Sequence, residues 1–288
     1  MLTKDQLIAR RQGIGASEAA TILGLSPWKT PLQLWLEKTG RIEPEEMQAL
    51  SRPYWGHKLE DDAAEGYEDA VGVKVRRVKQ TLYHPSYHWM FCHLDRKIVG
   101  KKKIVECKSA DAYTGTAWGA SGTDQAPEAY IIQVQHQMAV TGYKEADIAA
   151  LIGGNDFRYY SIPRDEELIN YIIEKEAEFW RCVETDVPPQ AQCRDDVALL
   201  YKRDNGVSVE ATTDIINKIE QLKEVKSVIK ECETLAKDLE KDITFFLKEA
   251  SSVNYCGQTI ITWRADKNGK RILRIAGGKN VSTTAENF

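Results

Sequence analysis

Apolar residues recur three and four apart early in this chain, alternate with polar ones in its middle, and return to helical spacing near its end. Residues 4–12 read as a short helix ending at Arg10 and Arg11. The stretch "GIGAS" interrupts it. Ser17 then caps a second helix, "EAATILG", which Gly24 stops. "SPWKTPLQLWLEKTG" starts another helix near Pro31 and closes it at Gly40. In "YWGHKLEDDAAEGYEDAVG", Leu59, Ala63, Tyr67 and Ala70 lie at helical steps and predict one more.

From Val73 the period shortens. "VKVRRVKQTLYH", "HWMFCHLDRKIVG" and "KKIVECKSA" are rich in strand formers and bounded by turn residues, with a hairpin turn at Gly100. "GTAWGASGTDQAP" is a long Gly- and Ser-rich loop. Pro127 then opens the helix "EAYIIQVQHQMAVTG". Two strands, "EADIAALIGG" and "FRYYSIPR", precede the helix "DEELINYIIEKEAEFWRCVETD", ended by "VPPQ". Strands interleaved with helices predict an α/β (α+β) core, a mixed central sheet flanked by helices, over residues 1–190.

Residues 191–288 form an appendage. Ile215, Ile219, Leu222, Val225, Ile229, Cys232, Leu235, Leu239, Ile243 and Phe246 draw one apolar stripe on a long charged helix. A strict coiled coil needs a stricter heptad, so the stripe is expected to pack within the chain or at an oligomer edge. "VNYCGQTIITWRADKNGKRILRI" reads as a β-hairpin turning at "KNGK", and "AGGKNVSTTAENF" as a mobile tail.

Composition narrows the class. The net charge of −4 supplies no global basic field for nucleic acid, so any such binding rests on local patches. "VKVRRVK" (73–79) and "RKIVGKKK" (96–103) are two of these, and solvated lysines on a hairpin explain the second equally well. The six cysteines form no C-x-x-C pair, which argues against structural zinc and reads as reduced thiols. "MLTKDQLIARRQ" lacks a signal peptide's apolar core, and no run approaches the ~18 apolar residues of a membrane span. A cytoplasmic protein without membrane contact is expected.

Chemistry concentrates at "IVECKSA", residues 104–110. Strand alternation puts Glu106 and Lys108 on one face and Cys107 on the other. Asp95, eleven residues before Glu106, comes beside it once the hairpin folds. Two acids and a lysine at a sheet edge suit a hard divalent cation with its waters, and the lysine can hold or deprotonate an attacking water. A ladder of opposite charges has the same spacing and contributes about 0.2–1 kcal/mol per pair. The apolar flanks of "IVECKSA" weigh against that simpler reading. "GIGAS" lacks the lysine of a P-loop, which excludes that mode of nucleotide binding.

Five stretches occur in the order of a known family. "ARRQGIGASEAATILGLSPW", "YWGHKLEDDAAEGYE", "FCHLDRKI", "IVECKSA" and "PEAYIIQVQHQM" resemble the YqaJ-type viral recombinase nucleases, relatives of lambda exonuclease in the PD-(D/E)xK superfamily. The resemblance implies a restriction-endonuclease-like core. It also implies a magnesium-dependent 5′→3′ exonuclease, with manganese as a substitute, that degrades one strand of linear duplex DNA from a free end for phage-type recombination. By resemblance, Glu60, Asp95, Glu106 and the Cys107 carbonyl hold metal. Lys108 and Gln133 orient the attacking water. Arg10, or the adjacent Arg11, and Ser17 grip the 5′-phosphate. Implied partners are a single-strand annealing protein and further copies of the chain in a ring, a trimer before a tetramer, in the cytoplasm of a bacterial host. The family's Pro-Asp is Leu94-Asp95 here, which touches the local backbone path more than the chemistry.

Simpler roles stand beside these. Glu60 is one acid among several in "LEDDAAE", and Gln133 and Gln135 are ordinary helix polars, although Tyr130, Gln133 and Gln137 share one face. Trp28, Trp35, Trp55 and Trp118 read mostly as core, with Trp118 also placed to stack on DNA. No histidine reads as a metal ligand, while His93 and His136 are candidates to line the site. A structure-specific endonuclease or nickase, or a non-catalytic DNA-binding protein, are the competing functions.

Overall fold

A computed structural model describes residues 11–43, 48 and 50–276. Residues 4–10 of the helix expected over 4–12, Arg10 among them, and all but the first residue of the expected mobile tail lie outside the described residues. Two compact units divide between Arg203 and Asp204.

The first unit begins with a short strand β1 (Ile14–Gly15), then α1 (Ala16–Ile22) and α2 (Pro31–Lys38). Thr30 caps α2 by accepting from the Gln33 N–H, and Pro31 occupies the first turn, where a missing N–H costs nothing. The stretch expected as one helix is two, α3 (Arg52–Lys58) and α4 (Glu60–Val71), separated at Leu59. Gly72 ends α4 in the left-handed conformation that glycine adopts freely.

Strands β2 (Val75–Arg77), β3 (Leu82–Tyr83), β4 (Met90–Cys92), β5 (Arg96–Ile98) and β6 (Lys103–Ala110) follow. A 3-10 turn (Ala112–Ala117) leads to α5 (Glu128–Thr141), β7 (Glu145–Ile152), β8 (Asp156–Pro163), α6 (Glu166–Glu184) and α7 (Arg194–Leu200). The main sheet has the order β2-β5-β6-β7-β8 and is mixed, because only the β6–β7 pair is parallel. A parallel pair needs a crossover, and α5 provides it. A smaller sheet, β1-β4-β3, adjoins it.

Alternation along β6 sorts the two faces. Val105 and Cys107 meet α4 through Tyr67, Ala63 and Ala64. Ile104 joins the larger core with Val134 and Met138 of α5, Ile148 of β7 and Ile169 of α6. Asp196 in α7 accepts from the Thr30 hydroxyl at 2.6 Å and the Gln192 N–H at 2.8 Å, which ties residues past 190 to this unit.

The second unit holds α8 (Thr213–Leu247) and the antiparallel sheet β11-β10-β9, formed by β9 (Ser252–Tyr255), β10 (Gln258–Ala265) and β11 (Arg271–Ile275). The sequence pointed to one hairpin here, and there are two. The missed turn is Cys256-Gly257, where both residues have positive φ, 49° and 78°, as a tight two-residue hairpin requires. Most of the α8 stripe is exposed, and the expected packing is confined to the helix end, where Leu247 is buried.

Candidate active site

The β5–β6 register pairs Arg96 with Val105. Continued by one residue, it sets Asp95 opposite Glu106, on the α5 face of the sheet. Asp95 Oδ2 accepts from the Cys107 N–H at 2.9 Å. A strand residue's N–H and C=O point to the same edge, so the Cys107 carbonyl is directed to this edge as well, just where β5 has ended. Its thiol lies on the other face among Ala63 and Ala64, and burial raises its pKa out of nucleophile range.

Glu106 is 3% exposed and is met by three side chains. Lys108 Nζ donates to Oε1 at 2.7 Å, Gln133 Nε2 to the same oxygen at 2.5 Å, and Gln137 Nε2 to Oε2 at 2.7 Å. Lys108 also donates to Gln133 Oε1 at 3.0 Å and lies 5.1 Å over the Tyr130 ring. One turn of α5 thus fixes both the acid and the base of "IVECKSA". Tyr130, Gln133 and Gln137 do share a face, and Glu106 and Lys108 are what that face meets.

Two carboxylates and one ammonium leave excess negative charge here. Burial, and next the charge of Glu106, push Asp95 up to about 8. For Lys108, burial alone works against the charged form, but the nearby Glu106 and Asp95 outweigh it and raise its pKa, so the ammonium is the resting form. A divalent cation relieves this frustration, and carboxylate oxygens are the donors that magnesium or manganese takes. On donor chemistry, Asp95, Glu106 and the Cys107 carbonyl fit such an ion.

Glu60 sits elsewhere. It starts α4, on the opposite face, where Arg96 Nη1 donates to its Oε1 at 2.5 Å. Arg96 is 3% exposed and also bonds Asp61. Among the described residues, no three His, Cys, Asp or Glu side chains converge as a metal-holding group. Glu60 still contributes to the raised pKa of Asp95, so it is near the pair without joining it. Arg96 is the site residue that sequence reasoning misplaced, among the basic residues for DNA. Its position next to Asp95 on a strand, hence on the opposite face beside the acids of "LEDD", was the available signal. Lys103 is likewise drawn inward, to Asp147 at 2.9 Å.

The "GIGAS" turn is built tightly. A Cβ on Gly13 would meet the Trp89 carbonyl oxygen at 2.5 Å, so only glycine fits. Lys38 Nζ donates to the Gly13 carbonyl at 2.7 Å and to Glu18 Oε2 at 2.6 Å, and Glu18 Oε2 also accepts from the Gly15 N–H at 2.9 Å. Ser17 is therefore not the cap. Gly15 holds that position, Glu18 satisfies its N–H, and Ser17 stands exposed in the first turn of α1. Arg11 is half-buried and bonds Glu43 at 2.7 Å.

Three further expectations change. Trp118 is 5% exposed and stacks on Tyr130 at 5.3 Å, so it is core and unavailable to DNA. Trp28 and Trp55 are 79% and 50% exposed, not core. His136 is fully buried between Glu176, at 2.7 Å, and the Phe91 carbonyl, at 2.9 Å, so it braces α5 against α6 and does not line the site. His93 Nε2 meets the Thr81 hydroxyl at 2.9 Å, and its backbone carbonyl accepts from Gln137.

No helix among the described residues is long and apolar enough to cross a membrane. Comparison with known proteins agrees with the fold. The alkaline exonuclease LHK-Exo of Laribacter hongkongensis superimposes with a TM-score of 0.52 at 22% identity, over 64% of this chain and 94% of that one. Its complex with dAMP gives 0.51. The profile of the YqaJ-like viral recombinase domain matches residues 6–144. The uncharacterized protein YqaJ of Bacillus subtilis (strain 168) is 39% identical over 281 residues, spanning 92% of this chain and 86% of that protein. Identity sustained over that length shows that the chain belongs to the YqaJ-like viral recombinase family.

Proposed function

We propose that this chain is a magnesium-dependent 5′→3′ exonuclease that degrades one strand of linear duplex DNA and exposes a 3′ single strand for annealing. The observation that carries the reading is the half-buried Asp95 beside the buried Glu106, a pair short of positive charge, with Glu106 bonded to Lys108 and Gln133. Asp95, Glu106 and the Cys107 carbonyl would hold the metal, with Glu60 added once free of Arg96. Bound magnesium, or manganese in its place, would supply a Lewis acid for the phosphate and a more acidic water.

The chain's own groups do the rest. Lys108, as a cation, holds the attacking water and offsets charge developing on the phosphate oxygens. Gln133 accepts a hydrogen bond from Lys108 at its Oε1 and donates one to Glu106 from its Nε2, so it fixes where both point. Ser17, exposed at the start of α1, and Arg10 or Arg11 take the 5′-phosphate. Arg11 must exchange Glu43 for it. LHK-Exo binds dAMP, which supports a nucleotide ligand for this fold. A single-strand annealing protein is the proposed partner, and a ring of copies, a trimer first, the proposed assembly on DNA.

The test compares linear, 5′-phosphorylated duplex with covalently closed circles, in magnesium and in EDTA. The proposal expects nucleotide release from the linear form in magnesium alone. Cutting of circles would instead assign a structure-specific endonuclease, and no cutting of either form would assign a non-catalytic DNA-binding role.

A further inference from the structure

The long helix of the second unit is not explained by a nuclease site. It runs 35 residues, about 52 Å at 1.5 Å per residue. Among its residues only Leu247 is buried, while Leu222, Val225 and Ile229 are 54%, 55% and 50% exposed. A helix this long draws its stability from a covered apolar face, and an exposed one of this size is a binding surface.

The stripe is narrower and more regular than its sequence outline suggests. If Ala236 rather than Leu235 is taken, apolar residues alternate three and four apart without a break from Leu222 to Phe246. These are the a and d positions of a coiled coil, with Leu222 at a and Val225 at d. Val228 and Leu235 then fall at g and widen one edge. Lys226 and Glu233 fall at e.

We propose that this helix pairs with the same helix of a second copy as an antiparallel two-stranded coiled coil. In the register that overlaps the helices fully, Leu222 packs against the partner's Leu239, Ile229 against the partner's Cys232, and Ile215 against the partner's Phe246. Lys226 then faces the partner's Glu233, twice by symmetry, and Val228 faces the partner's Leu235 across the apolar edge. No like charges meet along either flank. A parallel pair does worse on the same residues, because it sets Val228 and Leu235 against the partner's Glu233 and Glu240. It also stacks the two Lys218 side chains at a d position. In the antiparallel pair Lys218 lies by the partner's Ile243, where its stem covers the seam while its ammonium keeps Asp214, 2.7 Å away. The pairing is independent of the nuclease reading.

The test uses the full chain with Cys193→Ser and Cys256→Ser, which leaves Cys232 as the exposed thiol. Adding Ile229→Cys and oxidising mildly with diamide is expected to give a covalent dimer whose linked peptides carry I229C and Cys232. Without Ile229→Cys, Cys232 is expected to stay uncrosslinked. Lys226→Glu is expected to weaken the pairing about tenfold, and adding Glu233→Lys to restore it. A dimer that forms equally well through Cys232 alone, or a charge swap that fails to restore pairing, overturns the proposal. Absence of any dimer, with circular dichroism unchanged, also overturns it. In that case alkylation of I229C tells the occupant: a protected thiol assigns the seam to this chain's own residues, a reactive one to a different partner.

Discussion

Replacing Asp95 by Asn should make the metal-free protein more stable. Asp95 Oδ2 accepts one backbone N–H, and an Asn oxygen can keep that bond. What the substitution removes is a charge that the fold disfavours. The carboxyl rises from 3.8 to about 8 on folding. A group raised in the folded state weakens the fold as pH climbs from its unfolded value to its folded one, and the penalty levels off above that. Four units at 1.36 kcal/mol each would be ~6 kcal/mol. Solvent at the open edge of this half-buried group reduces that to about 2–3 kcal/mol at pH 9. For a chain of this size that is roughly 5–10 °C in melting temperature. Thermal unfolding of wild type and Asp95→Asn in EDTA at pH 5 and pH 9 checks it. The gain should at least double between the two, and magnesium should then stabilise wild type more than the variant. A loss of stability at pH 9, or a gain independent of pH, would refute the reasoning.

Three other outcomes follow from the same geometry. Trp118→Ala removes a buried ring stacked on Tyr130 and should cost about 3–5 kcal/mol in urea unfolding, with m unchanged. The Glu166 carboxyl, bonded by Arg164 and then Lys144, should titrate at about 2 by NMR and return toward 4.5 in Arg164→Ala. Its folded value is depressed, so the stability it gives is present above 4.5 and lost as pH falls toward 2. Gln133→Ala frees Lys108 from one of its partners and should lower the rate of nucleotide release at least tenfold at saturating DNA, measured as kcat.

The core sheet was legible because its strands are short apolar runs bounded by turn residues, and its helices carry stop signals such as Gly72 and Gly142. The site was legible in part. Spacing alone put Glu106 and Lys108 on one face and Cys107 on the other, and the hairpin at Gly100 set Asp95 beside them. Tyr130, Gln133 and Gln137 followed from one helix face. What failed depended on tertiary context. Ser17 had the residue type of a cap, but Glu18 with Lys38 satisfied the turn first. Trp118 is core, as its first reading had it, and only its stacking on DNA fell, because it fills the space between Tyr130 and Tyr160. Arg96 looked like one more DNA-facing base, although strand alternation next to Asp95 turned it to the opposite face, where it meets Glu60 and Asp61. The Cys256-Gly257 turn lacked the usual Asn or Asp before its glycine, so its hairpin went unread.

The account rests on Glu106 and Lys108 serving as one catalytic unit. Lys108→Ala tests that most directly, since Glu106 keeps Gln133 and Gln137 and the strand stays packed. With linear, 5′-phosphorylated duplex and magnesium, nucleotide release should fall by about 10²–10³ relative to wild type, with melting temperature and DNA affinity close to unchanged. Equal rates of release from the two proteins would contradict it.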